Sequence, residues 1–300
     1  MNALASDGAP GEVHGPRRFQ RSDAGLTREM AEAFAEDGYL LVEDFMPVEL
    51  CDSLQVRALQ LVEAFDAAAH ATVFSTTSAS HARDAYFQES GDQIHFFFEE
   101  EAFDAEGKLK QPKALSINKI GHAMHDLDPV FSAFSRHPHL AALARGLFHQ
   151  PLLLQSMFIF KQPRIGGEVT WHQDATYLTT DPLSAIGFWF ALEDATVENG
   201  GMMAIKGGHK GPLRSRFHRE GDTLATEVLD PTPYPAGPKV ALTAKKGSLV
   251  VLHGLLPHWS GPNRSDRSRH AYTLHVIDGA ARYRSDNWLR RGPALPLRGF

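Results

Sequence analysis

The chain has 300 residues, 43% of them hydrophobic and 22% charged, an ordinary balance for a globular protein that buries its own core. Its formal net charge of -6 argues against nucleic acid or an anionic membrane as the main partner, and no apolar run is long enough to span a bilayer. A single cysteine, Cys51, excludes intrachain disulfides, iron–sulfur clusters and cysteine-rich zinc sites, and it suits a reducing compartment, the cytoplasm.

Residues 1–25 mix Gly, Pro, Arg and acidic residues without an apolar stretch, so a disordered tail is expected rather than a signal peptide. The final Leu297-Arg298-Gly299-Phe300 is not a Ser-Lys-Leu peroxisomal address. Residues 26–300 show no internal repeat and no break in composition, which predicts one domain. Thr27 to Asp37 has helical spacing, with Met30, Ala31, Phe34 and Ala35 on one face, Thr27 as N-cap and Gly38 as C-cap. Tyr39 to Val42 reads as a short strand. Pro47 opens a second helix reaching about Ala69, with Leu50, Leu54, Leu61 and Phe65 inward. Ala71 to Gly91 is polar and aperiodic, a loop or lid, and Ile94 to Phe98 is strand-like. Asp128 to Phe148 predicts two short helices broken near Pro138.

After Pro151 strand-like runs recur: Leu152 to Phe160, Glu168 to Tyr177, Ala185 to Leu192, Met202 to Ile205, Ser248 to His253 and His270 to Ile277. Turn residues separate them. A helical N-terminal part followed by these runs predicts a mainly β fold with flanking helices, a barrel or jelly roll. Gly211 to Pro238, rich in Pro, Gly and charge, reads as an insertion near the mouth of the site, and its basic stretch Arg214, Arg216, His218 and Arg219 as a solvated loop.

Sixteen histidines invite a search for a metal site. In Trp171-His172-Gln173-Asp174 strand alternation sends His172 and Asp174 to one side, and Trp171 and Gln173 to the other. Alone, such a spacing is common in half-buried strands. A histidine from Leu252-His253-Gly254-Leu255-Leu256-Pro257-His258-Trp259-Ser260 would complete a set of two histidines and one carboxylate, the facial triad of non-haem iron(II) oxygenases. Arg269 stands eleven residues after His258, where a guanidinium can return toward the metal region to grip a carboxylate; the plain alternative is a surface salt bridge. His122, His125, His137 and His139 lack an accompanying carboxylate and read as surface or packing residues.

The order of these pieces, together with Ser116-Ile117-Asn118-Lys119-Ile120-Gly121-His122, Gln155-Ser156-Met157-Phe158-Ile159-Phe160-Lys161-Gln162-Pro163, Gly166-Gly167-Glu168-Val169 and Ser265-Asp266-Arg267-Ser268-Arg269, resembles the phytanoyl-CoA dioxygenase family. Glu193-Asp194-Ala195-Thr196 and Asn287-Trp288-Leu289 extend the resemblance across nearly the whole chain. It implies a double-stranded β-helix, cupin-like, with iron(II) held by His172, Asp174 and His258 and with 2-oxoglutarate and dioxygen as co-substrates. It implies that Arg269 pairs with the far carboxylate of 2-oxoglutarate, that Ser260 assists, and that Lys119, Met157, Gln173 and Trp189 line the co-substrate pocket. His253 is the rival third ligand, but its distance from Arg269 does not fit the family. Lys206-Gly207-Gly208-His209 departs from the Pro-Gly-Ser-His common in the family, which leaves that loop and His209 without an assigned role. Asp174 stands where related halogenating enzymes have a small residue, which favours hydroxylation of a small-molecule substrate. The alternatives are a metal-dependent hydrolase and a non-catalytic protein that binds iron and 2-oxoglutarate.

Overall fold

The computed structural model describes residues 15–67, 72–73 and 85–300. The helix Arg28–Asp37 starts at Thr27, whose side chain accepts from Met30 N, and stops at Gly38 in the left-handed region at φ 82°. The second helix, Val48–Ala64, is shorter than expected, and the pair Pro129–Ser135 and Pro138–Leu147 breaks at Pro138. Most of the 71–91 segment lies outside the described residues; its end holds a short helix, Ala85–Gln88. Within the expected tail, Arg18–Gln20 forms a strand parallel to Tyr39–Glu43, so order begins before residue 26.

Two sheets dominate. The larger has eight strands in the order 18–20, 39–43, 249–253, 186–191, 271–278, 151–159, 117–122 and 94–98. The smaller has four, in the order 239–242, 202–205, 258–260 and 169–172. Among the described residues no ladder joins their edges, so the cupin-like fold is two facing sheets rather than a closed barrel.

The large sheet is covered on both faces, which is why its strands read as continuous apolar runs. Leu249 and Val251 pack with Leu54, Phe131 and Leu140 of the helices. Their alternate neighbours Val250 and Leu252 pack with Met202, Ala204 and Leu242 of the small sheet. The 211–238 insertion is not a plain loop. It carries an antiparallel hairpin, Ser215–Glu220 with Thr223–Val228. Among the described residues no helix is long and apolar enough to cross a membrane.

One buried carboxylate ties the chain's end to this frame. The side chain of Asp126 is fully buried and receives Arg136 at 2.7 Å, Arg298 at 2.9 Å and also Arg291. Burial alone would raise its pKa, but His125 and the three guanidiniums hold it below the usual carboxylate value. Removing one partner of a buried ion pair leaves the others uncompensated. Asp126→Ala should therefore lower unfolding stability by about 3 kcal/mol in urea titrations, and a loss under about 0.5 kcal/mol would mean that the cluster is solvated.

Candidate metal centre and its cavity

The histidines His172 and His258 lie far apart in the chain yet are cross-strand partners on neighbouring strands of the small sheet. Their rings stand 4.1 Å apart between centroids. The strand Val169–His172 ends there, earlier than the sequence suggested, and Asp174 opens a short 3-10 turn. Gln173 between them keeps extended angles, φ -116° and ψ 133°, so alternation still carries Asp174 to the side of His172. The carboxylate oxygen Oδ1 of Asp174 is 3.6 Å from Nε2 of His172 and 3.6 Å from Nε2 of His258. One donor atom from each of the three lies within 4.8 Å of the others, and this is the His/Asp set that the sequence analysis singled out.

Each histidine is turned for metal binding. Nδ1 of His172 donates to Thr170 O at 2.8 Å, and Nδ1 of His258 to Leu256 O at 3.0 Å. With Nδ1 carrying the proton, Nε2 presents its lone pair to the common point. Burial, with His172 beside it, pulls the pKa of His258 down to about 4, so the ring is neutral as a ligand must be. Burial would raise the pKa of Asp174, yet His258, His275 and the hydrogen bonds to it hold it well below the ordinary value. Two imidazoles and one carboxylate without a thiolate suit a non-haem iron(II) ion, and they leave its other positions open.

A cavity of about 590 Å³ opens between the sheets at this point. His172, Asp174 and His258 line it, together with Lys119, Met157, Trp189, Ser260 and Arg269. Arg269 is 2% exposed, and burial lowers its pKa to about 10, leaving it charged at neutral pH. Its Nε donates to Gly200 O at 3.2 Å, its guanidinium lies 5.3 Å from the Trp189 ring, and Nη1 has no partner among the described residues. The salt-bridge alternative for Arg269 is not what the structure shows: among the described residues it makes no ion pair. A buried, charged guanidinium with a free N–H is what an anionic carboxylate would complete.

Gln173 departs from the expectation. It does not line the cavity. The alternation that brings Asp174 inward sends Gln173 outward, where its amide donates to Pro212 O at 3.1 Å and Leu255 O at 2.8 Å and accepts from Arg214 N at 2.9 Å. It ties the foot of the hairpin to the loop before His258. The rival His253 lines a separate, smaller cavity beside Phe34 and Ala185. His125 is buried and bonded to Ser156 Oγ at 2.9 Å, but its Nε2 lies 3.3 Å from Asp126 Oδ2, so it does have a carboxylate partner, and His122 lines the main cavity, contrary to its reading as packing or surface.

Three residues escaped the sequence reading. His275 places Nε2 3.3 Å from Asp174 Oδ2 and so fixes the second oxygen of the carboxylate. Room for that contact comes from Gly187, where a Cβ would lie 2.8 Å from Asp174 Oδ2. Alternation counted from Arg269 through Thr273 reaches His275, so the signal was present. Lys161 is buried, its pKa lowered by burial to about 6, and it donates to Ser260 Oγ at 2.9 Å. Glu99 is fully buried and accepts from Asn118 at 2.7 Å and Gly167 N at 3.0 Å; burial raises its pKa, these bonds and Lys161 oppose the rise, and the carboxyl lies near Lys119, Lys161 and Arg269.

Residues 34–271 match the phytanoyl-CoA dioxygenase (PhyH) family. The chain is 44% identical over 268 residues to a phytanoyl-CoA dioxygenase of Arabidopsis thaliana, covering 89% of this chain and 94% of that one. It is 42% identical over 283 residues to phytanoyl-CoA dioxygenase domain-containing protein 1 of Bos taurus, covering 91% and 97%. Among solved structures, the non-haem α-ketoglutarate-dependent carbocyclase SnoK from nogalamycin biosynthesis superposes with a TM-score of 0.63 at 20% identity, over 96% of this chain and 99% of that one. The match along most of the sequence and the donor set in the cavity agree: this chain belongs to the phytanoyl-CoA dioxygenase family of non-haem iron, 2-oxoglutarate-dependent oxygenases.

Proposed function

We infer that the enzyme oxidises a C–H bond of a small organic substrate while 2-oxoglutarate is converted to succinate and carbon dioxide. The observation that carries this reading is Arg269, a buried guanidinium with a free N–H in the same cavity as the three ligands. A hydrolase built on the same ligands has no use for a dicarboxylate anchor. In this reading His172, Asp174 and His258 hold the iron. Bound iron, 2-oxoglutarate and dioxygen supply the oxidising chemistry, one oxygen atom leaving in succinate and the other entering the substrate as R–H becomes R–OH.

The chain's own residues bind and orient. Arg269 pairs with the far carboxylate, and Trp189 supports its guanidinium from below. Ser260 accepts from Lys161, so its own proton is left to be donated to the co-substrate. Lys119 adds a second basic group to this end of the cavity, and Met157 and Trp189 form apolar walls that keep water out. His275 holds Asp174 in the rotation that presents Oδ1 to the metal.

Three measurements test this reading. Anaerobic protein given iron(II) and 2-oxoglutarate should show a visible metal-to-ligand charge-transfer band. Asp174→Ala should abolish it, and Arg269→Ala should weaken 2-oxoglutarate binding about 100-fold, as loss of a buried charge-assisted pair does. Iron bound by the parent protein without a band would sink the co-substrate assignment. For His275→Ala, iron(II) affinity should fall about 10- to 100-fold, measured by competition with a chelator; an unchanged affinity would mean that Asp174 is positioned without it. The third concerns pH. Burial lowers Lys119 to about 7, so in the free enzyme it loses its charge as pH rises through that value. An arriving dicarboxylate favours the charged form and raises this pKa. Affinity for 2-oxoglutarate should therefore fall as pH rises above 7, with proton uptake on binding at pH 8 in calorimetry. Lys119→Met should remove the uptake, and uptake that survives in that variant would assign it to another group.

A further inference from the structure

The cavity continues past the three ligands, away from Arg269, and strand register sets the order of its walls. Trp189, Thr273 and Met157 lie side by side in one row across the large sheet, and Gly187, His275 and Gln155 form the next. Successive rows on one face are about 6.7 Å apart. Arg269 precedes the first row, while Asp174 meets the second through His275 and Gly187. Beyond the second row the wall changes character. It is made by Phe87, His122, Leu178, Phe217, Leu224 and Trp288. Phe87 and Trp288 stack at 4.7 Å with 16° between their planes, and His122 meets Trp288 edge-on at 5.1 Å. Flat apolar surfaces of this kind take a flat apolar partner.

Polar groups interrupt this wall, among them His122 and Gln155. Ser90 Oγ donates its single proton to Phe87 O at 2.6 Å, so in its 2.8 Å contact with His122 it must accept from Nδ1–H. The neutral ring then carries a lone pair on Nε2, and Nε2 has no hydrogen-bond partner among the described residues. Burial, reinforced by Lys119, holds this ring well below its ordinary pKa, so it stays neutral. The amide of Gln155, beside His275, likewise has no partner among the described residues.

Charge is missing from this half for a structural reason. The hairpin arginines are committed within the protein. Arg216 pairs with Glu227 at 3.3 Å and Asp286 at 2.7 Å, Arg214 pairs with Asp230 at 2.9 Å, and Arg219 donates to Trp288 O at 3.0 Å and to Gln88 O at 2.6 Å. None of these is left over for the phosphates of a coenzyme A thioester.

We propose that the half of the cavity walled by Phe87, Trp288 and the 215–228 hairpin is the substrate subsite, and that it takes a neutral, flat, mostly apolar molecule whose hydroxyl or N–H group donates to His122 Nε2, rather than an acyl-CoA. The assignment rests on the oxygenase reading in one respect: the oxidised carbon is the one this subsite presents to His172, Asp174 and His258.

The test uses the full chain, anaerobic, with iron(II) and 2-oxoglutarate, and four probes: 2-naphthol, naphthalene, 2-naphthoate and palmitoyl-CoA. Calorimetry should rank 2-naphthol about tenfold tighter than each of the others, the size of effect one buried hydrogen bond gives. His122→Phe should reduce 2-naphthol to the affinity of naphthalene while the charge-transfer band persists. If that variant does not fold, the ranking on the parent protein and Gln155→Leu decide. The proposal is overturned if palmitoyl-CoA or 2-naphthoate binds as tightly as 2-naphthol, if 2-naphthol does not bind, or if folded His122→Phe binds it unchanged. Loss of the band in the parent protein would fail the oxygenase reading alone, and the ranking of the probes would still decide the subsite.

Discussion

A carboxylate taken out of water has to be held by its neighbours, and the site is arranged around that requirement at Asp174. Three imidazoles surround it: His172 and His258 on one oxygen and His275 on the other. Each comes from a different strand, and two of those strands belong to the small sheet while the third belongs to the large one. The carboxylate therefore specifies how the two sheets face each other. Gly187 is part of the same requirement, because any side chain there would occupy the space of Asp174 Oδ2. A metal ion bound at this point would supply positive charge opposite Asp174 Oδ1, and His275 would remain as the group that sets the carboxylate's rotation.

From this point the cavity is polarised along the strands. One end holds Arg269, which is charged at neutral pH, beside Lys119 and Lys161, whose pKa values burial lowers to about 7 and about 6, and the buried carboxyl of Glu99. The other end has aromatic walls, and the arginines of its hairpin are already paired. A dianionic co-substrate and a neutral substrate would thus be sorted to opposite sides of the ligands by electrostatics before any shape discrimination acts. Desolvation gives the sorting its strength, since an anion at the aromatic end would lose its water without gaining a partner.

Much of this was legible in the sequence, and the physical reasons are specific. Strands buried on both faces, such as Leu249–His253 and Ile186–Ala191, announce themselves as apolar runs. Caps at Thr27 and Gly38 bound a helix because their backbone chemistry is local. The hairpin at 215–228 was not legible, since Thr223–Val228 buries little beyond Leu224 and has no apolar run. His258–Ser260 is too short to show periodicity, although it carries one of the three candidate donors. Gln173 shows how a resemblance can mislead at one residue. Alternation within its own strand already turned it away from His172 and Asp174, and the structure follows the alternation. His275 is the converse case, a residue that alternation from Arg269 reaches and no short motif marks.

Gln173 also explains how the mouth of the cavity is coupled to its floor. It sits between His172 and Asp174, and its amide spends its hydrogen bonds on backbone groups of the hairpin's foot and of the loop leading to His258. The extended backbone at Gln173 that spaces His172 from Asp174 is therefore the same backbone that fixes where Pro212 and Arg214 lie. The hairpin in turn supplies Phe217 and Leu224 to the aromatic end. Metal geometry and the shape of the substrate half thus share one short segment. The hairpin's foot is held by neutral hydrogen bonds to backbone, while its body is held by ion pairs to Asp286 and Glu227. The foot cannot move without disturbing the residue that separates His172 from Asp174.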